Sequence, residues 1–313
     1  AILPPQREDK TMKKFAKKDV DQIITDIFVK QLERVQREGI SWNQGWIEHV
    51  AQAHRNVTSG HVYQGINTII TASACFENNW TCSEWGTYKT WEAAGYKIGG
   101  TGIKSQASIV QFIKGVREDD NGEKKGWASM KLIPVWNGDQ LKELGFVPTP
   151  QAKMPQNDIE ATEQSEKLFN AYCTNANIKV KYEGNKAFYV PSKDFIQLPT
   201  RGQFKSGFSL DATRWHEATH STGHTKRLDR IKSTRFGSRE YAIEELCAET
   251  GAMFMCIETG VTAEPRADHA HYVASWLRGL KDDKTLVRKA IASAQKAKDF
   301  ILETANAEVQ AVA

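Results

Sequence analysis

The residues best suited to chemistry lie in one short stretch, Trp215 to Gly223, which contains the pattern His-Glu-x-x-His. On a helix with 3.6 residues per turn, His216 and His220 project from the same face, close enough to bind one metal ion. Glu217 points to the side of that pair, where its carboxylate can take a proton from water. The spacing therefore predicts a metal-dependent hydrolytic site. The competing interpretation is two solvated histidines on an ordinary amphipathic helix.

A third protein ligand is expected, because catalytic zinc takes three side chains and leaves its fourth position to water. The next helical segment, Tyr241 to Ile257, offers the carboxylates Glu245 and Glu249, four residues apart on one helix face. One can bind the metal while the other holds the free ring nitrogen of a metal-bound histidine. The pattern resembles the second helix of the glutamate zincins, which carries Glu-x-x-x-Asp or Glu. This resemblance implies that Glu245 is the ligand and Glu249 orients a histidine, while Glu244 stays open as an alternative ligand.

Zinc is the expected ion, since this ligand pattern is typical of zinc hydrolases. Histidine and carboxylate ligands also bind manganese, cobalt and nickel. The predicted cofactor is therefore Zn²⁺, with Mn²⁺, Co²⁺ or Ni²⁺ as alternatives.

Length and composition bound the class of protein. A chain of 313 residues favours two domains, each large enough to bury its own core. The formal net charge of +4 argues against DNA mimicry and is too small by itself to indicate nucleic-acid binding. No run of about 18 apolar residues is present to form a membrane helix. The five cysteines form an odd set without a C-x-x-C pair, as expected in a reducing compartment. These features predict a cytoplasmic protein without a membrane partner.

The tryptophans are concentrated in the first half of the chain. Seven of the nine precede residue 150, with tyrosines, lysines and arginines interleaved. Exposed aromatic planes flanked by cations suit stacking on unpaired bases while the phosphate backbone is neutralised. The alternative is that most of these rings belong to the core, because tryptophan is usually largely buried.

Several stretches together resemble the ArdC antirestriction proteins and related plasmid primases. Gly60 to Ile70 and Trp85 to Lys89 match the amino-terminal domain of that family, and His216 to His224, Tyr241 to Glu249 and His271 to Leu277 recur after it in the same order. The resemblance implies a domain that binds single-stranded DNA joined to a zincin-like metalloprotease domain. It also implies a role during conjugation, in which incoming plasmid DNA is protected from host restriction.

The resemblance and the aromatic pattern together indicate where single-stranded DNA would bind. The candidate DNA-binding residues are Trp42, Trp46, Tyr63, Asn67, Trp85 and Lys89. The predicted partners are single-stranded DNA and, as a target of proteolysis, a host restriction protein or another DNA-bound protein.

The predicted fold class is α+β in two domains, a mixed α/β domain that binds single-stranded DNA and a mainly helical zincin-like metallopeptidase domain. The expected bounds are 12–147 and 161–313, with a polar leader at 1–11 and a proline-punctuated linker at 148–160.

Local patterns predict the elements within these domains. Apolar spacing indicates a helix from Val20 to Glu38, and further helices at His269–Gly279 and Lys284–Glu303. Strand-like runs are Thr71–Trp80, Ile109–Arg117, Lys131–Trp136, Ile178–Tyr182 and Ala187–Val190, the second and third forming one hairpin and the last two another.

Two functions are consistent with these predictions. The first is an antirestriction protein that binds single-stranded DNA and hydrolyses peptide bonds at the His216–His220 site. The alternative is a non-catalytic single-stranded DNA-binding protein whose metal site is structural or docks a partner. An intact motif is necessary for hydrolysis but does not prove that a substrate exists.

Overall fold

The structure is a computed structural model, and it describes residues 19–38, 53–118, 124–149, 158–204, 206–231, 238–261 and 283–307. Trp42, Trp46 and the predicted helix at His269–Gly279 lie outside these ranges.

The first region of the chain combines three α-helices with a mixed sheet. Its elements are α1 (Val20–Glu38), β1 (Arg55–Asn56), α2 (Ile66–Asn78), β2 (Glu84–Gly86), α3 (Tyr88–Ala93), β3 (Ala107–Glu118), β4 (Lys124–Asn137) and a 3-10 helix (Gly138–Leu144). The strand order is β1-β2-β4-β3, and β1 is parallel to β2 while the other pairs are antiparallel. The predicted helix at Val20–Glu38 is confirmed.

The longest pairing in this sheet is the ribbon formed by β3 and β4. It runs from Ala107 opposite Val135 to Glu118 opposite Lys124. The predicted hairpin is thus confirmed, although β4 begins seven residues before the predicted strand, which started at Lys131. The longer ribbon carries side chains of β3 away from the sheet body, and Phe112 and Val116 are exposed there.

The prediction of a strand at Thr71–Trp80 is wrong, because those residues belong mostly to helix α2. The segment has a single β-branched residue, Thr71, and its first five residues are buried on helix α2 while residues 77–79 are exposed. The hydroxyl groups of Thr71 and Ser73 donate to the carbonyl oxygens of Asn67 and Ile69, both at 2.8 Å, one helical turn back. Polar side chains whose hydroxyl groups are hydrogen-bonded to the backbone of their own helix can therefore be buried there.

The second region is mainly helical. Its elements are α4 (Asp158–Asn175), β5 (Lys179–Tyr182), β6 (Phe188–Val190), β7 (Phe195–Leu198), α5 (Gly207–Thr222), α6 (Arg239–Glu258) and α7 (Leu286–Asn306). The predicted hairpin of β5 with β6 is wrong, because the strand order is β5-β7-β6. Strand β7 lies between them, parallel to β5 and antiparallel to β6. Its residues Ile196 and Leu198 are fully buried, as expected of a strand in the centre of a sheet.

Each region has apolar clusters of its own, and a further cluster joins the two regions. The joint cluster packs Ile24 and Phe28 of α1 and Ile69 of α2 with Leu246 of α6 and Ile291 of α7, among others. The α+β fold with a mixed-sheet region followed by a helical region is confirmed. Helix α7 packs against elements of both regions. Among the described helices, none is long and apolar enough to cross a membrane.

Candidate functional site

Helix α5 presents the two histidines of the motif, and its ends and its buried face fix how it is rotated. Ser206 caps the helix, with its hydroxyl oxygen accepting from the Ser209 N–H at 3.1 Å. The fully buried indole of Trp215 donates to the Ser165 hydroxyl at 2.9 Å. With Trp215 held in the core, His216 and His220 lie one turn apart on the face toward α6, with ring centroids 4.7 Å apart.

Helix α6 approaches α5 closely because a glycine lies at their contact. A Cβ atom added at Gly251 would lie 2.5 Å from Cγ2 of Thr219, which is shorter than any normal contact. Only glycine allows this approach, and it brings Glu245 and Glu249 of α6 over the histidines of α5. This close packing positions the carboxylates before any ion binds.

Three side chains converge on one point between the helices. Nε2 of His216 and Nε2 of His220 are 3.1 Å apart. Glu245 Oε2 lies 3.7 Å from Nε2 of His216, and Glu245 Oε1 lies 3.5 Å from Nε2 of His220. Bonds of about 2.0–2.2 Å at tetrahedral angles separate ligand atoms by roughly 3.3–3.6 Å. The triangle of these three side chains, with separations of 3.1, 3.5 and 3.7 Å, is close to this spacing, and His216, His220 and Glu245 are the residues that would hold a divalent ion.

The outer ring nitrogens of both histidines face carboxylates. Nδ1 of His216 lies 3.0 Å from Glu249 Oε1. Nδ1 of His220 is hydrogen-bonded to Glu244 Oε1 at 3.1 Å. Each carboxylate can hold the Nδ1 proton of its histidine and leave Nε2 free to bind an ion. Glu244, the alternative ligand, thus lies behind His220 on the side away from the convergence point.

Arg230 is part of this site, and the sequence analysis missed it. Its Nε donates to Glu244 Oε2 at 2.7 Å and its Nη2 donates to Glu244 Oε1 at 2.8 Å. The same guanidinium donates to the backbone oxygen of Thr219 and to the hydroxyl of Thr222 at the end of α5. Burial alone would raise the pKa of Glu244, but hydrogen bonds from Arg230 and His220 hold it below its usual value. Arg230 lies in the turn segment that follows the end of α5 at Thr222. No sequence motif with a fixed spacing from the histidines includes it.

The pKa of His220 reflects a concentration of negative charge. Burial lowers it, but the hydrogen bond to Glu244 and the charges of Glu245, Glu244 and Glu217 outweigh burial and raise this pKa to about 9. The same concentration of negative charge favours a cation at this site. Glu217 is only 3% exposed and follows His216 directly. Its carboxylate is therefore one of the buried negative charges that act on His220.

Within the described ranges, the fold buries two of the candidate DNA-binding residues in one core cluster. Trp85 is fully buried with Ala74, Cys75 and Val135, and the same cluster buries Tyr63. An indole with no exposed surface cannot stack on a base, so the prediction for Trp85 is corrected: it is a core residue. The density of tryptophans misled here because aromatic rings also fill a small core.

Asn67 and Lys89 have different positions. The side-chain amide of Asn67 donates to the Val110 carbonyl at 3.0 Å and accepts from the Val110 N–H at 2.7 Å. Asn67 therefore ties α2 to β3. Lys89 lies exposed on α3 beside Tyr88, whose ring is 38% exposed. Of the candidates inside the described ranges, Lys89 keeps its charge at the surface.

Two family models match the two regions of the chain. A family model described as zincin-like metallopeptidase matches residues 163–294, and one described as the N-terminal domain of anti-restriction factor ArdC matches residues 18–140. The protein thus joins an ArdC-type N-terminal domain to a zincin-like metallopeptidase domain.

Solved structures identify the family. The chain is similar to the crystal structures of the antirestriction protein ArdC from plasmid R388. The metal-free form has a TM-score of 0.70 at 32% identity, and the Mn(II)-bound form has 0.69 at 29%. Both comparisons cover 92% of this chain and 98% of the R388 protein. The chain belongs to the ArdC antirestriction family.

Curated relatives extend the similarity to larger proteins. A DNA primase TraC of Escherichia coli is 33% identical over 325 aligned positions, which cover 97% of this chain but only 21% of the primase. The uncharacterized protein y4eC of Sinorhizobium fredii is 29% identical, with 79% of this chain and 80% of that protein covered. The chain therefore spans about a fifth of the primase that it matches.

Proposed function

We propose that this protein is a metal-dependent peptidase that also binds single-stranded DNA, and that it acts against restriction of incoming plasmid DNA. The observation that carries the peptidase proposal is the triangle of His216, His220 and Glu245 with Glu217 beside it on the same helix. Three protein ligands with a remaining open position are the arrangement of catalytic rather than closed structural zinc sites.

Glu217 is the proposed general base of the reaction. A divalent ion at this site, when bound, would lower the pKa of a coordinated water and polarise a carbonyl group. The Glu217 carboxylate takes a proton from the attacking water and passes it to the leaving amine. Its burial keeps bulk water away from this transfer, because only 3% of the residue is exposed. Arg230 and Glu244 hold His220 in the orientation that the reaction needs.

Strand β6 is the proposed place for an extended peptide substrate. It lies at one edge of the three-stranded sheet and packs against α5, the helix that carries the histidines. An edge strand offers unpaired backbone donors and acceptors that a peptide can use as an added strand. The substrate would then run beside the two histidines.

Zinc is the ion expected from the ligand set, with manganese, cobalt or nickel as alternatives. The Mn(II)-bound R388 structure supports a divalent ion in this family and leaves its identity in the cell to experiment.

The single-stranded DNA proposal rests on the match to the ArdC N-terminal domain and on exposed groups in that region. Lys89 and Tyr88 offer a cation beside an aromatic plane, and Trp42 and Trp46 remain proposed stacking residues. A peptidase held on single-stranded DNA meets DNA-associated proteins at a raised local concentration. The proposed target is therefore such a protein, for example a host restriction subunit.

The deciding experiment is a restriction-evasion assay in cells with Glu217→Gln, which keeps the shape of the side chain and removes the base. The matched control is Glu183→Gln, where the glutamate side chain is 59% exposed and away from the histidines. We expect Glu217→Gln to retain its metal and lose evasion, while the control behaves like the wild type. Evasion by Glu217→Gln, with no cleavage of any DNA-bound protein by the wild type, would favour the non-catalytic DNA-binding alternative.

A further inference from the structure

A groove of about 410 Å³ opens where the two regions of the chain meet. The loop at 61–65 and the start of α2 form one wall, the exposed end of β3 forms another, and α7 closes the third side. The lining includes Asn67, Phe112, Arg288, Gln295 and Lys296. The volume lies at the lower end of the range for small-ligand sites, which suits a ligand of about one nucleotide.

The groove is held in shape by hydrogen bonds between its walls. The backbone N–H of Gly65 donates to Gln295 Oε1 of α7 at 3.0 Å. Gly65 has a φ of 56°, a backbone conformation that residues other than glycine rarely adopt. Asn67 binds both backbone groups of Val110 and so fixes the strand to the helix. Loop, strand and α7 are therefore set relative to one another before any ligand binds.

The lining combines an aromatic plane with cations. Phe112 is 56% exposed, which is unusual for a phenylalanine, and its ring borders the groove. Lys296 lies exposed at the rim of α7, and Lys114 follows Phe112 on the same face of β3. Arg288 is paired with Asp21 of α1, so its charge is largely neutralised in place. Among the lining residues, Lys296 is thus the cation left to face a ligand.

We propose that this groove holds one unpaired nucleotide of single-stranded DNA, with its base against Phe112 and its phosphate beside Lys296. The inference rests on the proposed single-stranded DNA binding and assigns it a place. An aromatic plane flanked by cations is how single strands are bound without sequence preference. An apolar peptide would leave the charge of Lys296 without a partner, and a free anion would make no contact with the Phe112 ring.

The assignment makes α7 part of the DNA site, although α7 lies in the metallopeptidase region of the sequence. On its other side, α7 packs Val287 and Ala290 into the joint cluster with Leu246 and Phe254 of α6. Leu246 follows Glu245 directly. A nucleotide in the groove therefore rests on the helix that supports the metal-carrying helix, and the DNA strand is anchored at the junction of the two regions.

The test measures binding of a labelled oligothymidylate to the full chain by fluorescence anisotropy. Phe112→Ala is expected to weaken binding roughly 5- to 150-fold, the range of one lost base–aromatic stack. Its control is Val147→Ala, which truncates another exposed apolar side chain, 79% exposed and outside the groove. Lys296→Glu is expected to weaken binding and to flatten the log-log salt dependence by about 0.7 for one phosphate contact. Its control is Lys179→Glu, the same charge change at an exposed position on β5.

The outcomes separate this inference from the proposed function. Failure of the wild-type protein to bind the oligonucleotide would remove both. Wild-type binding, with Phe112→Ala and Lys296→Glu as tight as their controls, would overturn the groove assignment and leave DNA binding in place. Should either variant unfold, photo-crosslinking of an iodouracil oligonucleotide to the wild type decides. Crosslinked peptides from β3 or α7 support the groove, and crosslinks confined to other segments overturn it.

Discussion

Replacing Gly251 by alanine tests whether close approach of α5 and α6 forms the metal site. The added Cβ would lie 2.5 Å from Cγ2, 2.6 Å from Oγ1 and 3.1 Å from Cβ of Thr219. Thr219 cannot move aside, because it is fully buried and its hydroxyl donates to the Trp215 carbonyl at 2.7 Å. The helices must therefore separate, and Glu245 and Glu249 must move away from the histidines with α6.

Two opposing terms set the size of the effect. Overpacking a buried contact costs about 1–3 kcal/mol. Alanine instead of glycine inside a helix stabilises by about 0.8–1.0 kcal/mol. The net loss in free energy of unfolding is thus roughly 0–2 kcal/mol, a modest change. The larger effect is expected on metal affinity, which falls about 10- to 100-fold when contacts that orient the ligands are disturbed.

A double-mutant cycle separates the clash from other effects. Thr219→Ala removes both atoms nearest to the added Cβ, so it should relieve the strain of Gly251→Ala. Urea unfolding of the metal-free proteins and competitive metal titration give the two quantities. We expect the double variant to be at least about 1 kcal/mol more stable than the sum of the single effects and to regain metal affinity. Additivity within about 0.5 kcal/mol, with metal affinity unchanged in Gly251→Ala, would refute the close-approach argument.

Further predictions concern the ligands and the DNA candidates. Zinc or manganese at about 100 times its dissociation constant should stabilise the wild type by about 2.7 kcal/mol in thermal unfolding, and His216→Ala should abolish that gain. In metal titrations, Glu245→Ala should lose the ion, whereas Glu244→Ala should bind it about 10- to 100-fold more weakly; the reverse order would exchange their roles. Trp85→Ala should lose about 3–5 kcal/mol of stability in urea unfolding, as a core residue does. Lys89→Ala should keep the wild-type stability and lower the salt slope of DNA binding by about 0.7, and an unchanged slope would remove it from the DNA site.

Local geometry explains what could be read from the sequence. The spacing of His216 and His220 places both on one face of a helix, because that relation depends only on residues within one turn. The helix at Val20–Glu38 and the ribbon of β3 with β4 follow from apolar periodicity in the same way. These features need no knowledge of what the helix or ribbon packs against.

Features that depend on packing between distant segments could not be read in this way. The run at Thr71–Trp80 was predicted as a strand, but its first five residues are buried as part of helix α2, which packs against α1 and β3. Tryptophan is a residue type on which bases stack, but the surrounding cluster buries Trp85 completely, so no base can contact its ring. The order β5-β7-β6 was not predicted, because strands that are adjacent in sequence usually pair and here β7 lies between β5 and β6.

Three features could be read from the sequence alone: two histidines and a glutamate at helical spacing, a second helical segment rich in carboxylates, and the resemblance to the ArdC family. The tertiary structure alone decided how the carboxylates divide their tasks. Glu244 and Glu245 are adjacent in sequence and point about 100° apart around α6, so only the position of α5 determines which one faces the histidine nitrogens. Arg230 and the groove beside α7 depend likewise on contacts between segments far apart in the chain, for which sequence spacing holds no signal.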